Sequence, residues 1–160
     1  MPQGRGWVMA GPTGCGKTAR ARVAARAAGI RIRTADAMVM QAASDGAGEG
    51  AVLDAGCLGL GRFSHRQEVN DLVIDDLGRE TQEVVLWGTR RDIMREILER
   101  RLDAWPHIRT YATTNLTEAE LEARYGERVA SRLAQAAMLL RMPARDWRRE
   151  GAERFGWGMA

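Results

Sequence analysis

A glycine-rich stretch near the N-terminus constrains this chain more than any other feature. It directly follows the short apolar run at residues 7–10 and directly precedes a run of helix-forming residues. Two glycines separated by four residues are followed by Lys and then Thr, which is the pattern of loops that bind the phosphates of a nucleotide. The stretch consists of Gly11, Pro12, Thr13, Gly14, Cys15, Gly16, Lys17 and Thr18. Because it lies between a predicted strand and a predicted helix, this pattern indicates an ATP-binding loop rather than a simple turn.

The residue types in this loop suit the chemistry of polyphosphate binding. Glycines at 11, 14 and 16 allow the backbone to curve and to point N–H groups inward, and the helix that follows adds the positive end of its dipole. We expect Lys17 to contact the β- and γ-phosphates and the Thr18 hydroxyl to hold Mg²⁺. Lys17 is the only lysine in a sequence otherwise rich in arginine, so a compact point charge occurs only where phosphate is expected.

Length and composition limit the remaining possibilities. The chain has 160 residues, which indicates one domain, and its formal net charge of +3 permits contact with nucleic acid without requiring it. Cys15 and Cys57 form no CxxC pair, which favours a reducing, cytoplasmic setting. No apolar run approaches the roughly 18 to 20 residues that a membrane span needs, so we expect no membrane partner.

The first third of the chain predicts alternating strands and helices. Glycine at 29 is expected to end the first helix, and Asp36 is expected to cap the second. From residue 44 to 61 glycine recurs without periodicity, which predicts a loop with one short helix. The predicted elements are a strand at 7–10, a helix at 17–28, a strand at 30–34 and a helix at 37–43.

A small basic cluster around one aromatic ring follows this glycine-rich region. Arg62, Phe63 and Arg66 are a candidate contact for single-stranded DNA, through base stacking and phosphate neutralisation, with weak affinity and a steep salt dependence. The alternative, which we favour, is a solvated loop whose phenylalanine packs on the core.

Two acidic residues follow the continuous apolar run at residues 72–74. Such a run is typical of a central parallel strand buried on both faces, and ligands bind at the carboxyl ends of such strands. We expect Asp75 to hold Mg²⁺ through water and Asp76 to polarise the attacking water. The alternative is a capped strand end without a catalytic role.

The second half predicts a helix at 90–104 that Pro106 terminates, and a strand at 109–112 leading to Asn115. That amide is placed to orient the attacking water or to contact the γ-phosphate. Thr117 and Glu120 have the spacing of a capping box, which begins a helix at 117–124. A further helix, Glu127–Ala136, has Arg128 and Arg132 on one face, and a last strand is predicted at 138–142.

Four segments together resemble the DnaC/IstB-type AAA+ ATPases, which include helicase loaders and ATPase helpers of transposition. The segments are residues 11–18, residues 72–78 with Glu80, residues 113–117 and residues 125–133. The resemblance implies an α/β P-loop NTPase fold, an AAA+ core with a central five-stranded parallel sheet flanked by helices. The core is expected over residues 1–142, and residues 143–160 form a polar tail that contains aromatic residues.

The resemblance also assigns roles to individual residues. It implies that Lys17 and Thr18 bind phosphate and Mg²⁺, that Asp75 is the metal-side carboxylate and Asp76 the catalytic one, and that Asn115 is the first sensor. Within residues 125–133 the family places an arginine that reaches the ATP site of a neighbouring subunit. Arg132 is the first choice for this role and Arg128 the second; alternatively, either arginine only pairs with a nearby Glu.

The expected function is Mg²⁺-dependent ATP hydrolysis in DNA replication, as in a helicase loader. The expected partners are further copies of the chain, a replicative helicase or a transposase, and single-stranded DNA. One alternative is an IstB-like transposition helper, and another is a nucleotide-dependent interaction module with little turnover. Because many AAA+ proteins have Glu where this chain has the shorter Asp76, slow turnover is expected.

Overall fold

The computed structural model describes residues 4–46, 48–57 and 71–145. Seven strands and six helices form within these residues. The strands are β1 (Gly6–Ala10), β2 (Arg31–Thr34), β3 (Leu72–Leu77), β4 (Val84–Leu86), β5 (Thr89–Arg91), β6 (Thr110–Thr114) and β7 (Ala137–Arg141). The helices are α1 (Lys17–Ala28), α2 (Ala35–Ser44), α3 (Glu49–Ala55), α4 (Ile93–Asp103), α5 (Glu118–Tyr125) and α6 (Glu127–Ala136).

The main sheet has five parallel strands in the order β2-β3-β6-β1-β7. Because all five run in the same direction, the segments that follow β1, β3 and β6 leave the sheet at one edge. These are the glycine-rich loop, the segment after the acidic pair, and Asn115. The predicted α/β fold with a central five-stranded parallel sheet is therefore confirmed.

Helices cover both faces of this sheet. On one face α1 packs Ala21 and Ala25 against Val73 of β3 and Tyr111 of β6. On the other face, side chains of α2 to α6 form the larger core with the inward residues of the strands, among them Ile74 and Leu77. Val73 and Ile74 are adjacent and both fully buried, as expected for a strand that is covered on both sides.

The start of α2 differs from the prediction. Asp36 was expected to cap this helix, but the cap is Thr34, whose hydroxyl accepts a hydrogen bond from the Ala37 N–H at 3.2 Å. The helix consequently begins at Ala35, and Asp36 lies in its first turn, where its carboxylate interacts favourably with the positive end of the helix dipole.

The helix predicted over residues 90–104 begins only at Ile93, where Asp92 caps it through the Arg95 N–H. Residues 89–91 instead form β5, which pairs with β4 in an antiparallel hairpin that the sequence analysis did not predict. Trp87 and Gly88 form its tip with positive φ angles of 53° and 77°, the conformation of a tight hairpin turn.

Two predicted features lie outside the described residues, namely the Arg62, Phe63 and Arg66 cluster and the part of the tail from residue 146 onward. None of the helices in the described ranges has the length and apolar character needed to cross a membrane.

Candidate functional site

The glycine-rich loop connects β1 to α1 in a conformation that few other sequences would permit. Gly14 and Gly16 have φ angles of 86° and 87°, in the left-handed region. Gly11 is required for a different reason, since a Cβ there would lie 2.9 Å from the Cβ of Met142. Gly16 is the N-cap of α1 and has no side chain to occupy the free N–H groups of the first turn. Those N–H groups are thus available to an anion.

The Lys17 side chain lies inside the curve of the loop. Its residue is 5% exposed, and its Nζ donates hydrogen bonds to the carbonyl oxygens of Gly11 and Pro12, both at 2.7 Å. The same atom lies 3.6 Å from Cys15 Sγ. The loop therefore places one ammonium group beside the N-terminus of α1, a combination that attracts polyphosphate.

Thr18 and Asp75 meet although 57 positions separate them in the sequence. The Thr18 hydroxyl donates to Asp75 Oδ1 at 3.0 Å, and Asp75 is only 3% exposed. A hydroxyl and a carboxylate side by side fit Mg²⁺, which takes oxygen ligands and keeps most of its shell as water and phosphate oxygens. In the described ranges no three His, Cys, Asp or Glu residues cluster to hold a metal alone. The Thr18 hydroxyl and the Asp75 carboxylate therefore suit a metal that takes its remaining ligands from outside the protein.

A buried threonine connects the two acidic residues. The Thr113 hydroxyl donates to Asp75 Oδ1 at 2.5 Å and accepts the Asp76 N–H at 2.9 Å, and Thr113 is fully buried. It fixes the Asp75 carboxylate and the Asp76 backbone relative to each other. This contact was not predictable from the sequence, because it depends on the pairing of β3 with β6.

Asp76 has an uncommon backbone conformation. Its φ is 58°, and the register between β3 and β6 shifts between Ile74 and Leu77. Asp tolerates the left-handed region better than most side chains. The resulting bulge leaves the Asp76 side chain 40% exposed, whereas Asp75 points into the protein. The two neighbouring carboxylates thus have different surroundings, one buried and the other accessible.

A cavity of about 300 Å³ lies over these groups. The structure brings residues of the glycine-rich loop, Asp76 and Asn115 together there, and Asp75 contacts Thr18 without lining the cavity. Arg79 also lines the cavity; the sequence analysis did not single it out, although it directly follows the acidic segment. Its guanidinium lies 3.9 Å from the Asp76 carboxylate, so the cavity contains a second positive charge besides that of Lys17. The lining residues are Thr13, Gly14, Gly16, Lys17, Thr18, Ala19, Asp76, Arg79 and Asn115.

Arg128 and Arg132 do not reach this cavity within one chain. Both lie on α6 and share the Asp103 carboxylate at the end of α4, Arg132 more closely than Arg128. Their side chains remain 65% and 41% exposed. The predicted common face is confirmed, and the acidic partner is an Asp rather than the Glu considered above.

A buried network connects the segment behind Asp76 to the end of α5. Glu80 accepts hydrogen bonds from the Gly78 N–H, from Arg124 at 2.8 Å and from the Tyr125 hydroxyl at 2.6 Å. Burial raises the pKa of Tyr125 and the Glu80 charge raises it further, so the hydroxyl stays protonated and donates. Since α6 begins just after Tyr125, Glu80 connects the segment that follows β3 to the helix that carries Arg128 and Arg132.

Replacing Glu80 with Ala is expected to lower the free energy of unfolding by about 3 kcal/mol, because the Tyr125 hydroxyl and the Gly78 N–H lose their acceptor, at about 1 to 3 kcal/mol for each buried group, while Arg124 keeps its pair with Asp92. The Glu80 side chain is fully buried, and Arg124 is 12% exposed. Urea unfolding monitored by circular dichroism measures the change. Glu118→Ala is the matched control, because Glu118 pairs with Arg141 at the surface and should change stability by less than about 0.5 kcal/mol. Equal losses for the two variants would show that the network contributes no special stability.

No protein-family model matches the sequence, and no curated protein is similar to it. Solved structures are similar in fold. The DnaC helicase loader superposes with a TM-score of 0.61 at 23% identity, over 88% of this chain and 80% of that one.

Two structures of the replication initiator DnaA are also similar. AMPPCP-bound DnaA from Aquifex aeolicus has a TM-score of 0.54 at 16% identity, and DnaA bound to AMPPCP and single-stranded DNA has a TM-score of 0.59 at 14% identity. They match 99% and 98% of this chain, which spans about half their length, 48% and 47% respectively. At these identities the likeness establishes the fold alone, and this chain has the same fold as the DnaC helicase loader.

Proposed function

We propose that this chain is a Mg²⁺-dependent ATPase that acts in DNA replication, with a catalytic site completed by a second copy. The observation that carries the proposal is the contact between Thr18 and Asp75 at the mouth of the phosphate loop. It places a hydroxyl and a carboxylate, the two ligand types expected for a nucleotide-bound Mg²⁺, next to the ammonium of Lys17. Asp76 and Asn115 line the same cavity.

The proposed roles follow from these positions. Lys17 and the N–H groups of α1 bind the β- and γ-phosphates, and Thr18 and Asp75 hold Mg²⁺. When bound, the metal neutralises charge on the phosphate oxygens. Asp76 accepts a proton from the attacking water, and Asn115 orients that water. Thr113 holds the Asp75 carboxylate and the Asp76 backbone in place. The transfer itself needs positioning and charge and no covalent intermediate.

An arginine that stabilises the transferring group is common in enzymes of phosphoryl transfer. Among the described residues, Arg128 and Arg132 are the arginines expected in this role, but both contact Asp103 and neither lines the cavity. A second copy that presents α6 to the cavity supplies the missing charge. Arg79 already lies in the cavity, where its charge serves ground-state binding of the phosphates.

The role in replication rests on similarity of fold. The similar structures include a helicase loader and a replication initiator bound to single-stranded DNA. A replicative helicase and single-stranded DNA are therefore the first partners to test. A transposase is the partner under the IstB-like alternative, and a pulldown from cells that contain both candidates separates the two.

Lys17→Ala is expected to weaken ATP binding by about a hundredfold or more, because charge-assisted hydrogen bonds contribute about 1.5 to 3 kcal/mol each and no other lysine exists to replace them. Titration with a fluorescent ATP analogue in the presence of Mg²⁺ measures the dissociation constant. Arg26→Ala, at the far end of α1, is the control and should bind normally. An unchanged dissociation constant for Lys17→Ala would refute the site.

Slow turnover has its own structural support. Asp76 is a short carboxylate held in a left-handed conformation, and Arg79 lies close enough to compete for it. These features favour a nucleotide-dependent switch as the second candidate function. Steady-state hydrolysis measured with and without single-stranded DNA separates the two, since a switch binds ATP in both conditions and hydrolyses it in neither.

A further inference from the structure

The hairpin formed by β4 and β5 presents a tryptophan fully to solvent. Trp87 is 92% exposed, and its φ of 53° is rare for a bulky side chain. Strained residues of this kind persist when the surrounding structure enforces them, and they concentrate at binding sites. Neither the nucleotide cavity nor the core uses this side chain.

The hairpin packs against the core on one face and is exposed to solvent on the other. Val84 and Leu86 pack against the core, and an ion pair between Arg91 and Glu96 anchors its second strand to α4. Val85 and Arg90 form a cross-strand pair, are 64% and 77% exposed, and face outward with Trp87. The outer face of the hairpin, formed by Val85, Trp87 and Arg90, is thus a preorganised protrusion with apolar surface and one arginine. We call it the Trp87 knob.

A second feature without an assigned role is a cavity of about 380 Å³ between α5, α6, β1 and β7. Its walls are largely formed by Leu and Ala side chains, among them Leu121, Ala130, Leu133, Ala134 and Leu139. Glu118, Glu122 and Glu127 stand at its rim. Glu118 pairs with Arg141, whereas Glu122 and Glu127 form no ion pair with any residue in the described ranges. The cavity therefore fits a large apolar group accompanied by a positive charge.

We propose that the Trp87 knob of one copy docks into this cavity of a second copy. The indole fills the apolar walls, and Arg90 exchanges its exposed contact with Glu83 for Glu122 and Glu127 of the second copy. Aromatic and arginine side chains are the usual anchors of protein interfaces. The two surfaces lie on different parts of the molecule, so the contact is head-to-tail and leads to a ring or a filament.

The position of both surfaces agrees with the shared ATP site, on which this inference rests. The hairpin follows β3, the strand that carries the acidic pair, in the chain. The cavity uses one flank of α6, and Arg128 and Arg132 occupy the other flank of the same helix, within about 10 Å, the diameter of a helix. A neighbour that contacts the arginines therefore lies within about a helix diameter of the cavity.

Nucleic acid is a poorer match for the knob. A nucleic-acid site needs an excess of positive charge, but Arg90 lies 3.6 Å from Glu83 and Arg79 lies 3.9 Å from Asp76. The charge of Arg91 is likewise balanced by Glu96. The hairpin is therefore close to neutral, which favours an apolar acceptor over a polyanion.

Sedimentation of the full chain over a range of concentrations, with Mg²⁺ and a non-hydrolysable ATP analogue, tests the contact. Trp87→Ser is expected to weaken self-association at least about tenfold, as for an interface anchor. Ala134→Arg, which places bulk and charge in the cavity wall, should weaken it similarly. Val23→Ser is the matched control, since Val23 is 71% exposed on α1, on the opposite face of the sheet.

Cross-linking locates the contact directly. In a Cys57→Ser background, chains with Trp87→Cys mixed with chains with Ala134→Cys should form an oxidised dimer, and a mixture using Val23→Cys in place of Ala134→Cys should not. Equal cross-linking in the two mixtures, self-association unchanged by Trp87→Ser, or no self-association of the unchanged chain would each overturn the proposal.

Two further measurements keep this inference separate from the proposed function. If Trp87→Ser leaves self-association intact and weakens binding of a single-stranded oligonucleotide, the hairpin is a nucleic-acid contact and the docking proposal is wrong. ATP binding by the monomer depends on Lys17 and not on Trp87. If the unchanged chain does not bind ATP, the proposed function is wrong, and the docking contact is tested separately by self-association and cross-linking.

Discussion

Asp76→Asn is expected to leave Mg²⁺-ATP binding intact and to lower the hydrolysis rate by about 10² to 10⁴, the usual contribution of a general base. Asp75, which accepts hydrogen bonds from the hydroxyl groups of Thr18 and Thr113, is unchanged in this variant and is expected to hold Mg²⁺ as before. Asn is the appropriate replacement because it has the shape of Asp and tolerates the positive φ of 58° at this position. Phosphate release measures the rate, and nucleotide titration measures binding.

Asp36→Asn is the matched control for this prediction. Asp36 is exposed in the first turn of α2, away from the cavity, so its replacement should leave the rate unchanged. If Asp76→Asn hydrolyses ATP as fast as the unchanged chain, Asp76 is not the catalytic carboxylate. If it fails to bind Mg²⁺-ATP, the division of roles between Asp75 and Asp76 is wrong.

Local signals in the sequence were sufficient for the elements around the phosphate loop. Helix α1 has the predicted bounds because Gly16 and Gly29, both with positive φ, flank it. The capping box of Thr117 and Glu120 likewise begins α5 as predicted. In each case residues within four positions of the boundary determine it, so one sequence contains all the information.

The hairpin was missed for the opposite reason. Its strands have three residues each, too few for alternation to be recognised, and Trp87-Gly88 is not a common turn pair. Arg90 and Arg91 of β5 lead into a strongly helical segment, so the predicted helix included them. Asp92, a good N-cap residue, was the available signal that the helix starts later.

Contacts between distant segments explain what else the sequence left hidden. The acidic pair was expected to follow its strand, but the structure includes both residues in β3 and shifts the register at Asp76. Thr113 connects to Asp75 across 38 positions, and Glu80 to Arg124 across 44. Such pairings depend on strand order and helix packing, which periodicity within one segment does not encode.

Arg132→Ala is expected to bind ATP normally and to hydrolyse it about 10³ to 10⁵ times more slowly, the usual contribution of an arginine supplied across an interface. The structure excludes a simple structural explanation for such a loss. Arg132 is 41% exposed and pairs with an exposed Asp103, and pairs of this kind contribute about 0 to 1 kcal/mol to stability. Arg100→Ala is the matched control, because Arg100 is also 41% exposed and also pairs with a surface carboxylate, that of Glu49.

Mixing two inactive variants tests whether the arginine acts on a neighbour. An Arg132→Ala chain retains its phosphate loop, and a Lys17→Ala chain retains its arginine, so a mixed assembly contains interfaces with both groups intact. Random assembly of equal amounts makes about a quarter of the interfaces productive in this way, and a corresponding part of the activity should return. Specific activity of the unchanged chain should also rise with protein concentration. No recovery in mixtures shown to co-assemble, together with a rate independent of concentration, would restrict Arg128 and Arg132 to their contact with Asp103. Recovery would mean that the ion pair with Asp103 is exchanged for phosphate at the interface, since each arginine has only one charged head.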